Sequence, residues 1–202
     1  MSPVIRILAA ATLAAMAGGC SISGLLGGGG AKAPATLQTL TPDAPDPGPG
    51  TRTAAAGQSV TISVPLVPKE LRTTRVPVQV TPTDVQYVTG VQWVDTPDRL
   101  FQALVSETVR RTTNRVVLDP RQATLDPGLQ VTGALERFGY DSASQQAIVV
   151  YDASLATEGG SRVETRRFTA SVPSDGSGPS VGRALNRAAN QVALDVAKWI
   201  GG

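Results

Sequence analysis

A chain of 202 residues with 18 basic and 16 acidic side chains, no histidine and one cysteine closes several routes at once. A zinc centre of Cys and His ligands is excluded, as is any nucleophile driven by a Cys-His or Ser-His-Asp relay, and a lone thiol forms no intramolecular disulfide. The near balance of charge, with no Lys/Arg stripe, leaves no nucleic-acid footprint.

Met1–Cys20 has the layout of an export signal: Arg6 as the positive region, the apolar run Ile7–Met16, then the small residues Ala17, Gly18 and Gly19. A run of about ten residues is too short to cross a bilayer, which takes roughly 20. AGGC places the only cysteine directly after the small residues, as in a bacterial lipobox, with Ala17 where leucine is usual. The plain alternative is an ordinary cleaved signal with an incidental cysteine. The lipobox reading makes residues 1–19 a lipoprotein signal peptide and Cys20 the acylated first residue of the mature chain. Its diacylglyceryl and amide-linked chains exceed the two signals that stable membrane anchoring requires. Ser21 in place of Asp points to the periplasmic side of the outer membrane in preference to the inner. Losing Arg6 with the leader takes 18 basic residues to 17 against 16 acidic.

Residues 20–57 are Gly/Pro-rich (GLLGGGG, TPDAPDPGPG, TAAAG) and are expected to be a tether. Treated as a coil, 38 residues have an end-to-end distance of roughly 35 Å. GLLGGGGAK is not a phosphate loop, because no GK[ST] motif is present and no helix opens there.

The remainder, residues 58–202, is long enough for one domain with its own core. Val60–Val64 alternates apolar and polar and predicts a strand. Val76–Val80 predicts a second, which Pro77 places at an edge or a strand start. Val85–Val88 predicts a third, with Gly90 bending the chain into Trp93. Thr96-Pro97-Asp98 opens a helix with a cap, a first-turn proline and a dipole-matched acid. Leu100, Phe101, Leu104, Val105, Thr108 and Val109 form its apolar stripe. Arg115–Leu118 predicts a short strand, and Leu129–Tyr140 with Gln145–Thr157 predicts a hairpin across DSASQ. A turn at residues 159–160 leads into Arg162–Val172. Val181–Ile200 closes the chain as a second amphipathic helix. The expected fold is α+β: a mostly antiparallel sheet with two helices packed on one face, in the order β-β-β-α-β-β-β-β-α.

No residue set reaches a catalytic constellation. Asp95, Asp98, Asp119 and Asp126 sit at caps and turns that favour aspartate for local reasons. Trp93 and Trp199 suit core packing first and contact hot spots second. No metal, cofactor or nucleic-acid partner is expected, and a small hydrolase is disfavoured by the missing histidine and nucleophile elbow.

The chain from VPLVPKELRTTRVPVQVTPTDVQYVTGVQWVDTPDRL onward resembles the auxiliary lipoprotein family of ABC-type transporters. The likeness rests on Tyr87, Gly90, Trp93 with Asp95, Pro97, Arg99-Leu100 and Gln102-Ala103, and on the later VTGALERFGYD and QQAIVVYDASL. It spans about residues 60–202. It implies a lipid-anchored periplasmic component of an intermembrane transport system with phospholipid or a related hydrophobic molecule as cargo. The implied partners are an MCE-domain substrate-binding protein, a permease and an ATPase, with ATP hydrolysed by the last; a homo-oligomer is compatible. Tyr87, Trp93, Asp95, Pro97 and Arg99 are the candidate motif and partner-contact residues, Cys20 the lipidation site. The competing reading is a structural or assembly lipoprotein of the outer membrane, serving envelope or lipopolysaccharide assembly.

Overall fold

A computed structural model describes residues 36–202, apart from Pro127, the pair 158–159, Gly202 and the side chain of Leu125. The leader and Cys20 lie outside the described residues.

Three long strands form the centre of the sheet: β5 (Leu129–Asp141), β6 (Gln146–Thr157) and β7 (Arg162–Pro173), paired antiparallel. Strict alternation in β6 decides which face is buried. Ala147, Val149, Tyr151, Ala153 and Leu155 point into the core, and the residues between them stay half-exposed. The turn Asp141–Gln145 is pinned by the Asp141 carboxylate, which accepts from the Ser144 amide at 2.9 Å. Gln145, at φ +54°, takes the left-handed position.

The free edge of β5 is covered piecewise by the preceding chain. β1 (Val60–Ile62) runs parallel to its first residues, and Leu66 bridges Ala134. β2 (Arg75–Gln79) then runs parallel to its last two. β1 also pairs with β4 (Val117–Leu118), and β2 with β3 (Val85–Gln92). The sheet of seven strands is therefore mixed, with order β3-β2-β5-β1-β4 and β6 and β7 branching from β5. The α+β class and the element order stand. Antiparallel ladders dominate by length, while β1, β2 and β4 add short parallel pairings that alternation along one strand does not specify. Parallel neighbours need a crossover, and α1 (Pro97–Thr112) supplies the one between β1 and β4.

Pro77 differs from its sequence expectation. It lies on β2 between two neighbours, not at a sheet edge. The ladder with β5 begins only at Val78, and the register with β3 slips between Arg75 and Pro77, so the missing N–H falls at an irregularity. Gly139 opposite has no side chain; a Cβ there would sit 2.6 Å from the Pro77 carbonyl oxygen. Gly90, at φ +72°, takes up the slip inside β3 without ending the strand.

α1 and α2 (Gly178–Gly201) pack together on the buried sheet face. Phe101 of α1 meets the Tyr151 ring edge-on, with centroids 5.0 Å apart, and Trp199 of α2 lies 5.5 Å from Phe168 of β7. Ala184, Ala188, Ala189, Ala193 and Ala197 give α2 a nearly smooth buried surface, which lets it sit close to both the sheet and α1. Thr96 flanks α1 without a side-chain cap bond; the Asp95 carboxylate instead accepts from the Thr96 amide at 2.7 Å.

The stretch expected to be tether is the largest correction. Of residues 36–57, the described part of it, residues 38–44 dock as a strap on the Trp93 corner and on α1 and α2, and Arg52 and Gly57 make further bonds, so the folded unit begins well before Gln58. Pro42, Pro45, Pro47 and Pro49 restrict φ and keep this segment extended. Leu40 is buried, with 9% of its surface exposed.

Candidate functional site

The motif residues form the corner where β3 hands over to α1. Tyr87 is half-buried on β3, its ring beneath the Arg75 guanidinium at 3.9 Å and its hydroxyl donating to the Glu70 carbonyl at 3.4 Å. Trp93 is 1% exposed and packs on Phe138 with centroids 5.6 Å apart. Its backbone amide donates to the Thr74 carbonyl at 2.8 Å. Its indole Nε1 has no hydrogen-bond partner within the described structure, and neither does the buried Oδ1 of Asp98. Pro97 is buried at the first helical position, while Asp95 and Arg99 are exposed. The five residues thus divide by role. Trp93 and Pro97 set the corner from inside, Tyr87 braces β3 against Arg75 and Glu70, and Asp95 and Arg99 project outward. Trp93 is a packing residue here, with no surface to offer a partner.

The strap meets this corner. Gln38 forms an isolated parallel bridge to Trp93: its amide donates to the Gln92 carbonyl at 2.8 Å and its carbonyl accepts from Val94 at 2.9 Å. Two asparagines one turn apart on α2 hold the next residues by their backbone. The Thr41 amide donates to Asn186 Oδ1 at 2.9 Å and the Asp43 amide to Asn190 Oδ1 at 2.7 Å. Asn190 Nδ2 returns a bond to the Thr41 carbonyl at 2.8 Å. Arg111, at the far end of α1, donates to the Ala44 carbonyl at 2.8 Å while its Nε contacts Glu107 at 2.7 Å. Farther on, Arg52 donates to the Thr113 carbonyl and Asp126 receives the amides of Gly57 and Ser59.

Burying Leu40 contributes about 2 kcal/mol, and each of the five backbone hydrogen bonds of residues 38–43 about 1 kcal/mol. Ordering the same residues costs about 1–2 kcal/mol each in backbone entropy. The docked and released forms of this segment therefore lie within a few kcal/mol of each other.

Residues 39–197 match the profile of the ABC-type transport auxiliary lipoprotein component. The chain belongs to that family. The match begins inside the strap, which makes the strap part of the family domain. Solved structures share the fold. A Xanthomonas campestris protein of the DUF330 family superposes with a TM-score of 0.64 at 21% identity, over 82% of this chain and 95% of that one. An uncharacterized protein superposes with a TM-score of 0.61 at 12% identity, over 74% and 96%. No curated protein matches the chain. Family membership makes the chain an accessory of ABC-type transport and, as a lipoprotein, a membrane-associated component of the envelope. Among the described residues no helix is long and apolar enough to cross a membrane.

The electrostatics of this auxiliary lipoprotein are those of local ion pairs and turns. Arg111 and Arg110 hold the Glu107 carboxyl below its usual range. Arg167 does the same for Asp152 across β6 and β7, and the Ser144 amide for Asp141. Burial pushes the Tyr151 phenol up to about 12. Every carboxylate with a resolved shift is thereby held more firmly ionised, the opposite of a general acid poised near neutral pH. Among the described residues no cluster of three His, Cys, Asp or Glu could hold a metal. A cleft of about 710 Å³ lies between Thr53–Ala55 and the end of α2. Of its two cations, Arg115 already donates to the carbonyls of Ile200 (3.0 Å) and Gln58 (3.4 Å) and Lys198 pairs with Asp195 at 3.4 Å, which matches a helix C-terminus better than an anion site.

Gln38, Leu40, Asn186 and Asn190 escaped the sequence reading, and Arg111, legible there only as a dipole-matched, solvated helix end, in fact holds the strap at Ala44. A signal was present: Asn186 and Asn190 sit one turn apart on a helix otherwise rich in alanine and valine, and Asn190 is only 7% exposed. A buried amide of that kind requires a partner.

Proposed function

We propose that this lipoprotein serves an MCE-type ABC system that moves phospholipid or related hydrophobic cargo between membranes, without catalysis of its own. Residues 1–19 are its signal peptide, Cys20 carries the lipid anchor, and residue 58 onward holds the sheet and helices that face the periplasm, with the outer membrane as the favoured anchor site. Its partners are the MCE-domain substrate-binding protein, the permease and the ATPase of one system. The single observation that carries this reading is the family match over residues 39–197.

Within it, Asp95 and Arg99 are the contact residues of the corner, and Trp93, Pro97 and Tyr87 hold them in place. Crosslinking in intact membranes followed by pull-down tests both levels. MCE or permease subunits are expected in the recovered complex, and Arg99→Glu is expected to reduce their yield severalfold without lowering the unfolding midpoint. Recovery of barrel-assembly or lipopolysaccharide-assembly components in their place would replace this reading with the assembly one. The anchor has its own test. Cys20→Ala leaves a folded protein that no longer partitions into membranes, and unchanged partitioning would refute the acylation of Cys20.

A further inference from the structure

Between Gln38 and Ala44 the strap is gripped almost entirely through its backbone. Asn186, Asn190, Arg111 and the main chain of Gln92 and Val94 supply the hydrogen bonds, and none of them belongs to a continuous ladder. Few side chains are drawn inward: Pro42 and Ala44 are half-buried, and the Thr41 hydroxyl accepts from Asn186 Nδ2 at 3.5 Å. Leu40 is the single buried apolar one, and Gln38 extends its amide over Gly182 of α2. A Cβ at Gly182 would fall 1.5 Å from Gln38 Oε1, so this glycine is what leaves room for the strap. The central sheet does not depend on this contact: β5, β6 and β7 pair with one another and with β1 and β2, and no strap residue enters their ladders.

We propose that residues 38–43 are a releasable latch, exchanging between docked and undocked states while the sheet and both helices stay folded. In the docked state the chain leading from the membrane joins the domain at Gln38, beside the Trp93 corner. In the released state it joins at Ala44, on Arg111, and the Gln92 carbonyl, the Val94 amide and the two asparagine amides are left open. The near balance between the latch's contacts and its ordering entropy is the physical basis for exchange.

Hydrogen exchange read by mass spectrometry on the full acylated chain in detergent tests the latch. The Thr41 and Asp43 amides are expected to exchange through a local opening, faster than the amides of β5 and β6 but slower than free peptide. Asn190→Ala removes bonds at both Thr41 and Asp43 and is expected to accelerate them about tenfold, with β5 and β6 unchanged. Gly182→Ala is the second arm. The methyl displaces Gln38 but favours helix, so the strap amides are expected to accelerate while the global unfolding midpoint holds or rises. Three results would overturn the latch. The strap amides could exchange at the rate of the β5–β6 core, making one cooperative unit. They could exchange at the free-peptide rate in the parent chain, leaving no docked state. Both variants could accelerate strap and core together, making the strap a structural part of the core.

Discussion

Two stretches of this chain run extended over long distances, and they are held in opposite ways. β6 is fixed by 11 register pairs with β5 and 12 with β7, so each residue is secured by its neighbours' bonds as well as its own. The strap has one bridge, at Trp93 just past β3, and otherwise depends on scattered side-chain bonds from α1, α2 and the loop residue Asp126 and on the Arg52 bond to the Thr113 carbonyl. The first arrangement is cooperative and can be lost only with the domain; the second can be lost piece by piece. Burial divides the same way. Five of the 12 residues of β6 are buried, every second one from Ala147 to Leu155, whereas the strap commits Leu40 alone among its apolar side chains.

The same substitution in the two regions sharpens this contrast. Leu135→Ala, at a fully buried position on β5, is expected to lower unfolding stability by about 2–5 kcal/mol in urea titrations. Leu40→Ala can lose no more than the docking free energy of the strap, because the strap can let go, and about 1–2 kcal/mol is expected. Equal losses at the two positions would remove the distinction.

A smaller effect separates shape from hydrogen bonding at the sheet edge. Trp199→Phe keeps a ring against Phe168 but deletes the 2.7 Å bond from Nε1 to the Glu164 carboxylate. A loss of about 1 kcal/mol is expected.

Acid pH probes both regions together. The folded-state pKa of Glu107, which positions Arg111 on the strap, and that of Asp152 on the sheet are both depressed. Groups of this kind stabilise the fold above their unfolded pKa, near 4, and lose that contribution as pH falls through the lower folded value. The unfolding midpoint should therefore be flat from neutral pH down to about 5 and fall below about 4, and Glu107→Gln should make the acid limb shallower. The smallest effect expected is that of Arg167→Gln. Its pairing with Asp152 is exposed on the open sheet face, so at neutral pH the loss in urea titrations should be only about 0.2–0.5 kcal/mol.

Legibility in the sequence tracked the source of order. β5 and β6 bury one face and β7 buries Phe168 and Ala170, so period-two alternation revealed the first two most clearly, and the stripes Leu100–Val109 and Leu185–Val196 revealed the helices for the same reason. Pairing partners were less legible. The parallel contacts of β1 with β4 and β5 arise from a crossover, and nothing in VTI states which neighbour it will meet. Pro77 was misplaced because its tolerance depends on Gly139, some sixty residues away. The strap was misread because proline and glycine look alike in a linker and in an extended segment docked through its backbone. Only the distant Asn186 and Asn190 distinguish the two. Of the corner residues, Trp93 and Pro97 were legible as a packing unit, while the separation of exposed Asp95 and Arg99 from buried Trp93 required the fold.

On the proposed reading, the latch also sets how much chain separates the anchor from the domain. Docked at Gln38 the domain stands 18 residues from the anchor (Cys20–Leu37), and released to Ala44 it stands 24 (Cys20–Asp43). Were that connection a flexible coil, its effective concentration would fall as about the three-halves power of its length, so docking would raise the local concentration of the domain at a membrane partner by about 1.5-fold. Five backbone hydrogen bonds and one leucine would thereby set how often the domain meets a neighbour in the same membrane.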